Sequence, residues 1–263
     1  MAVHRGDRYV AMGSSFAAGP GLDPRTAGAP RASGRSDNNY AHVATGRLGL
    51  VLTDVTYSGA TTEDILVGSA GQSAQIEAVT ADTGLVTITA GGNDIGYLPA
   101  LTFASFPRPL RSLPAFRRRV AGLTDPASTD QRFADLHTSL TEVVRDVHVR
   151  APAAEIVLVD YLSILPPGPT ADPRLAVLES RPGGDLVLWG RSVANRLSTT
   201  FASVAAANGC SFLDVGARSQ DHHAWSPDPW TRRFHLSLRG GAPYHPNAAG
   251  MAAVAHMLVD LVS

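Results

Sequence analysis

Apolar residues come mostly in continuous blocks, without strict alternation, in five short stretches of the chain, residues 8–12, 51–55, 85–90, 155–160 and 211–215. Strands covered on both faces have this pattern, because neither side of the pleat meets water. Between the blocks the period changes to three and four residues, as in a helix with one buried face. Phe133, Leu136, Leu140, Val143 and Val147 predict a helix over about residues 129–150, ended by Pro152. Leu186, Trp189, Val193, Leu197, Phe201 and Val204 predict a second over about 185–208, stopped by Gly209. A third is predicted from Pro246 onward, a residue suited to a first helical turn, with Met251, Val254, Leu258 and Leu261 facing inward. Shorter helices are predicted over 39–48 and after Thr61, where Thr61 and Asp64 have capping-box spacing.

Strands alternating with helices imply right-handed βαβ crossovers, and so a three-layer α/β/α sandwich on a parallel sheet. The length of 263 residues suits one domain spanning residues 1–263. Four stretches rich in Pro, Gly or Arg are read as irregular: 19–37, 97–126, 162–184 and 216–244. Long loops in a compact domain are commonly functional rims, so these are expected to shape a ligand site.

A net charge of −1 leaves no global field for nucleic acid. Arg108, Arg111, Arg117, Arg118 and Arg119 nevertheless fall within twelve residues, and they read as a solvated basic face in preference to a phosphate-binding patch. The lone Cys210 has no intramolecular disulfide partner. No apolar run has the length of a membrane span, and residues 1–8 lack the apolar region of a secretory signal. The expectation is a soluble, cytoplasmic monomer, or a secreted one if a leader was removed.

In an open parallel sheet, ligands bind beyond the carboxyl ends of the strands. Ser15 follows the first block by three residues, Gly59 the second by four and Asn93 the third by three, while His245 ends the excursion after the fifth. A serine hydroxyl needs a base within about 2.6–3.2 Å to act as a nucleophile, and a histidine with its ordinary pKa near 6.5 suits that role. The amides of Ser15 and Gly59 and the side chain of Asn93 can supply donors to an oxyanion. Plainer roles exist for each: a turn serine, a glycine needing positive φ, a turn-forming asparagine. It is their joint placement that favours chemistry. Adjacent His222 and His223, next to Asp221, read as a surface loop, since neighbouring residues rarely converge on a metal. Asp94 reads as a brace for the Asn93 loop, and Trp225 and Trp230 as packing beneath the histidine. No Gly-x-Gly-x-x-Gly turn follows the first block, which removes the dinucleotide reading.

The strings Tyr9-Val-Ala-Met-Gly-Ser-Ser-Phe-Ala-Ala-Gly-Pro-Gly, Tyr57-Ser-Gly-Ala-Thr, Gly91-Gly-Asn-Asp-Ile-Gly-Tyr and His245-Pro-Asn-Ala-Ala-Gly resemble those of the SGNH (GDSL-type) hydrolases, in their actinobacterial lipase and esterase branch. Ser15, Gly59, Asn93 and His245 match the family's four named positions in order. The resemblance implies a flavodoxin-like sheet of order 2-1-3-4-5. It also implies hydrolysis of small-molecule or lipid carboxylic esters through a serine acyl-enzyme, without metal or organic cofactor. An acyltransferase or thioesterase using the same site, or a silent ester- or glycan-binding member, are the alternatives.

Three departures stand out. Ser14 occupies the place of the family's usual aspartate before the nucleophile. Ala242 replaces the aspartate three residues before the histidine, so the imidazole N–H is left to a backbone carbonyl within 240–243, most simply that of Ala242, or to Asp221 or Asp228 folding back. Secreted members of the family carry paired cysteines and this chain has none to pair, which favours an intracellular relative.

Overall fold

Five parallel strands, β1 (Arg8–Gly13), β2 (Val51–Asp54), β3 (Thr83–Thr89), β4 (Glu155–Val159) and β5 (Ser211–Leu213), form one sheet in the order β2-β1-β3-β4-β5. The structure is a computed structural model that describes residues 3–168, 172, 175, 178, 185–237 and 241–263. β1, β3 and β4 are buried almost throughout, as their largely continuous apolar blocks require.

Eleven helices among the described residues flank the strands: α1 (Ser15–Ala18), α2 (Tyr40–Leu48), α3 (Thr62–Val67), α4 (Gly92–Ile95), α5 (Tyr97–Ser105), α6 (Arg108–Arg111), α7 (Pro114–Thr124), α8 (Pro126–Arg150), α9 (Leu186–Asn208), α10 (Val215–Arg218) and α11 (Ala248–Val262). α2 packs with α11, while α8 packs with both α3 and α9, giving a helical layer on each face of the sheet. The order reverses between β2 and β3, on either side of β1. The loops after these three strands therefore open onto one crevice, the topological switch point of a doubly wound sheet.

The long helices begin and end where local chemistry dictates. Asp125 caps α8 by accepting from the Ser128 amide, and Pro126 opens its first turn. Asp185 caps α9, which ends at Gly209 with φ 67°. Thr61 and Asp64 form the reciprocal capping box at α3.

The structure corrects four expectations. Residues 97–126, read as irregular, contain α5, α6 and α7; Pro109 and Pro114 sit in the first turns of their helices instead of breaking them. The C-terminal helix starts at Ala248, capped by the Asn247 side chain, and Pro246 lies outside it. Its inward face includes Val262, at 5 % exposure, while Leu261 is 42 % exposed. The last strand ends at Leu213 because Asp214 turns outward to cap α10. Much of 162–184 lies outside the described residues.

Leu136 shows how the core supports the crevice. It is fully buried on α8, and its methyl groups lie against Gly91, where a Cβ would come within 3.0 Å of them. Leu136→Ala is expected to lower the unfolding free energy by about 2–5 kcal/mol, measured by denaturant titration. Leu136→Met should cost less than about 1.5 kcal/mol.

Candidate active site

β1 ends in a turn that leaves no room for a side chain. Gly13 has φ 142°, and a Cβ there would lie 2.4 Å from the Thr89 carbonyl oxygen. The turn is held from three sides. The Ser14 amide donates to Thr89 O (2.8 Å), the Tyr57 amide donates to Gly13 O (2.9 Å), and the buried Gln75 side chain clamps Gly13. Gln75 Oε1 accepts from the Gly13 amide at 2.7 Å, and its Nε2 donates back to the Gly13 carbonyl at 3.1 Å. Ser15 then opens α1, its side chain at the rim of the crevice.

At the other end of the chain, the Asn247 side chain donates to the Pro229 carbonyl and caps α11, anchoring the segment before it. Tyr244 has φ 64°, a left-handed conformation that costs a bulky residue on the order of 1–2 kcal/mol. Its ring is buried, and its hydroxyl meets Ser105 Oγ at the end of α5 at 2.6 Å. The twist turns the Pro243 carbonyl back onto the ring two residues later, 2.7 Å from His245 Nδ1. Nδ1–H therefore donates to Pro243, and Nε2 is left as an acceptor. Ser15 Oγ lies 2.7 Å from Nε2 and donates to it.

Burial holds the His245 imidazole well below its ordinary pKa, at about 4, with the Arg232 charge acting in the same direction and the Pro243 carbonyl opposing both. Phe16 covers the imidazole at a ring separation of 5.4 Å and packs against Tyr161 at 4.7 Å. The ring is thus a neutral, apolar-walled acceptor.

The remaining motif residues surround this pair. Gly59 is exposed, with φ 88° and open space where a Cβ would stand. Asn93 Nδ2 donates one hydrogen to the Ala60 carbonyl (2.9 Å), which ties the loop after β3 to the loop after β2 and leaves the second hydrogen for a ligand. Asp94 Oδ1 accepts from both the amide (3.0 Å) and the hydroxyl (2.5 Å) of Thr62, so it braces Asn93 from behind; burial raises its carboxyl.

Three results differ from the sequence reading or add to it. The carbonyl facing His245 Nδ1 is that of Pro243; the Ala242 carbonyl instead accepts from the His245 amide at 3.4 Å, and Gly240 lies outside the described residues. Asp221 and Asp228 do not fold back. Asp228 faces His222, its carboxylate 3.4 Å and its carbonyl 2.8 Å from Nδ1, and Asp221 acts on His223. Ser14, standing before the nucleophile, is engaged by Tyr161, a buried phenol that also accepts from the Gly92 amide at 2.8 Å. Tyr161 and Gln75 carried no motif; Gln75 stands in a mixed stretch, Gln72-Ser-Ala-Gln-Ile-Glu77, with nothing to mark it as buried. Trp230 stacks on His222 at 3.8 Å. Trp225 packs near Tyr244 and lines a cavity of about 600 Å³ behind it.

The profile of the GDSL-like lipase/acylhydrolase family matches residues 11–253. The chain is 31 % identical over 261 residues to Lipase 2 of Streptomyces coelicolor, covering 97 % of this chain and 85 % of that one. It is 27 % identical over 251 residues to a lipase of Streptomyces rimosus, covering 93 % and 82 %. Solved structures that share its fold include two from Streptomyces. A phospholipase A1 from Streptomyces albidoflavus has a TM-score of 0.77 at 22 % identity, over 97 % of this chain and 98 % of that one. An extracellular lipase from Streptomyces rimosus has a TM-score of 0.78 at 24 % identity, over 98 % and 100 %. With a neutral histidine facing a serine at the switch point of this sheet, and a family profile matching most of its length, the chain belongs to the GDSL-like lipase/acylhydrolase family, in its actinobacterial lipase-like branch, and is a carboxylic ester hydrolase.

Proposed function

We propose that this ester hydrolase works through a Ser15–His245 dyad, with the Pro243 carbonyl standing where a third acidic residue is usual. The 2.7 Å approach of Ser15 Oγ to His245 Nε2 carries the reading. Nε2 takes the Ser15 proton as Oγ attacks the ester carbonyl carbon, and the displaced electron pair settles on the carbonyl oxygen. The amides of Ser15 and Gly59 and the free hydrogen of Asn93 Nδ2 receive that charge, each donor typically lowering the barrier by about 2.7–4 kcal/mol. Collapse of the intermediate breaks the bond to the leaving alcohol, which takes the proton back from Nε2. Water, activated by the same nitrogen, then releases the acid and restores Ser15.

A carbonyl fixes the tautomer as a carboxylate would, but it stabilises the imidazolium less. The low pKa of His245 fits that arrangement: a modest base, and a strong acid once charged. The catalytic unit is a single domain over residues 1–263, built on one contiguous core. The likeness to the extracellular Streptomyces rimosus lipase favours an exported enzyme over the cytoplasmic one expected from the sequence. Among the described residues, no helix is long and apolar enough to cross a membrane.

Ser15→Ala should abolish release of p-nitrophenol from p-nitrophenyl butyrate, whereas Asp221→Asn and Asp228→Asn should each keep most of kcat. A loss near a thousandfold at either aspartate would point to a true third member. The acid limb of kcat/KM should fall well below pH 6.5, toward 4, because His245 is active only while neutral. Arg232→Gln removes a charge that disfavours the imidazolium, so the limb should shift to higher pH; a limb that stays put contradicts the assignment. Gln75→Leu leaves the buried Gly13 amide without its acceptor and frees the turn. We expect a loss of about ten- to a hundredfold in kcat with KM little changed, read alongside thermal melts that keep a cooperative transition.

A further inference from the structure

Between Asp94 and Asp125 the chain has five arginines and no acidic residue, in a protein whose net charge is −1. This stretch contains α6 and α7, neither of which has a buried residue. Leu110 and Leu113 stand 42 % and 47 % exposed among the arginines, although nothing in the sheet or the catalytic crevice requires them there. Beneath the two helices is a cavity of about 1010 Å³, lined by Arg108, Arg117 and Arg118 together with Phe103, Phe116 and Trp189. Asp125 and Asp185 also line it, but both carboxylates are engaged as caps, of α8 and α9.

The face adjoins the catalytic crevice. α5 starts one residue beyond the helix bearing Asn93 and ends at Ser105, the partner of Tyr244. Phe106, at its end, packs edge-on against both Phe116 of α7 and Phe234 of the histidine loop, at 5.6 and 5.4 Å.

Short helices presenting arginines and exposed leucines side by side, over an apolar cavity, have the chemistry of an interfacial segment: cations for headgroup phosphates, alkyl groups for the acyl boundary. A nucleic-acid surface would use the arginines and leave the leucines and the apolar cavity without purpose. We propose that α6 and α7 are the surface on which this enzyme docks to an anionic lipid bilayer, with guanidinium groups on headgroup phosphates and Leu110 and Leu113 at the acyl boundary. The inference rests on the proposed function only in taking the chain as an ester hydrolase, and adds that its ester is presented by a lipid surface.

The test is flotation with vesicles of phosphatidylcholine, alone or with about one third phosphatidylglycerol, using the full chain carrying Ser15→Ala so that the lipid survives. The protein should float with the anionic vesicles and stay behind with the neutral ones. At about 1 kcal/mol for each arginine near the surface, adding Arg117→Gln, Arg118→Gln and Arg119→Gln together should weaken binding by roughly a hundredfold. Leu110→Ser with Leu113→Ser should weaken it further without altering binding to a DNA duplex. In the otherwise wild-type chain, both sets of substitutions should leave kcat/KM on p-nitrophenyl butyrate unchanged, which separates docking from turnover. Equal flotation with both vesicle types, or anionic binding indifferent to the arginine changes, would overturn the proposal. So would a duplex that displaces the vesicles while the leucine changes have no effect, since that describes a generic polyanion patch.

Discussion

The carbonyl of Pro243 and the imidazole of His245 form the contact on which the site depends. A ring nitrogen facing Ser15 is useful only if it is the unprotonated one, and Nδ1–H directed at Pro243, 2.7 Å away, makes it so. That geometry requires a left-handed Tyr244. The conformation persists because the tyrosine ring is buried and its hydroxyl is engaged by Ser105 at the far end of α5. The histidine is therefore positioned by neutral packing and hydrogen bonding, with no carboxylate acting on it among the described residues. Burial is left as the main influence on its basicity.

The same economy of charge holds around the serine. The Gln75 side chain and the Tyr57 amide hold Gly13, the Thr89 carbonyl holds the Ser14 amide, Tyr161 links Ser14 to Gly92, and Asn93 is tied to Ala60. These bonds join the loops after β1, β2 and β3, whose strands are neighbours in the sheet. With the Asn93 amide spending one hydrogen on Ala60, its second is held ready for a ligand. Donors fixed in this way need not reorganise when charge develops on a substrate, which is where most of the benefit of such a site arises.

Much of this was legible in the sequence for a physical reason. Buried parallel strands impose unbroken apolar blocks, and the carboxyl ends of such strands locate a ligand site, so Ser15, Gly59 and Asn93 could be placed without coordinates. What lay hidden were interactions that leave no residue-type signature. Any residue has a carbonyl, so the choice of Pro243 over Ala242 depended on the φ of Tyr244. Asp221 and Asp228 were candidates because carboxylates are visible in a sequence, whereas their engagement with His223 and His222 is not. α5 to α7 stayed hidden because prolines stand in their first turns, and because α6 and α7, without buried residues, lack the apolar stripe that period analysis seeks.

The central claim is that Ser15, and no other hydroxyl, becomes covalently acylated because His245 takes its proton. Its most direct test is mass-spectrometric mapping after reaction with diethyl p-nitrophenyl phosphate, in the wild type and in His245→Ala. The account predicts one diethylphosphoryl group per chain, on the peptide containing Ser15, and almost none without the imidazole. An adduct on another residue, or undiminished labelling of Ser15 in the variant, would contradict it.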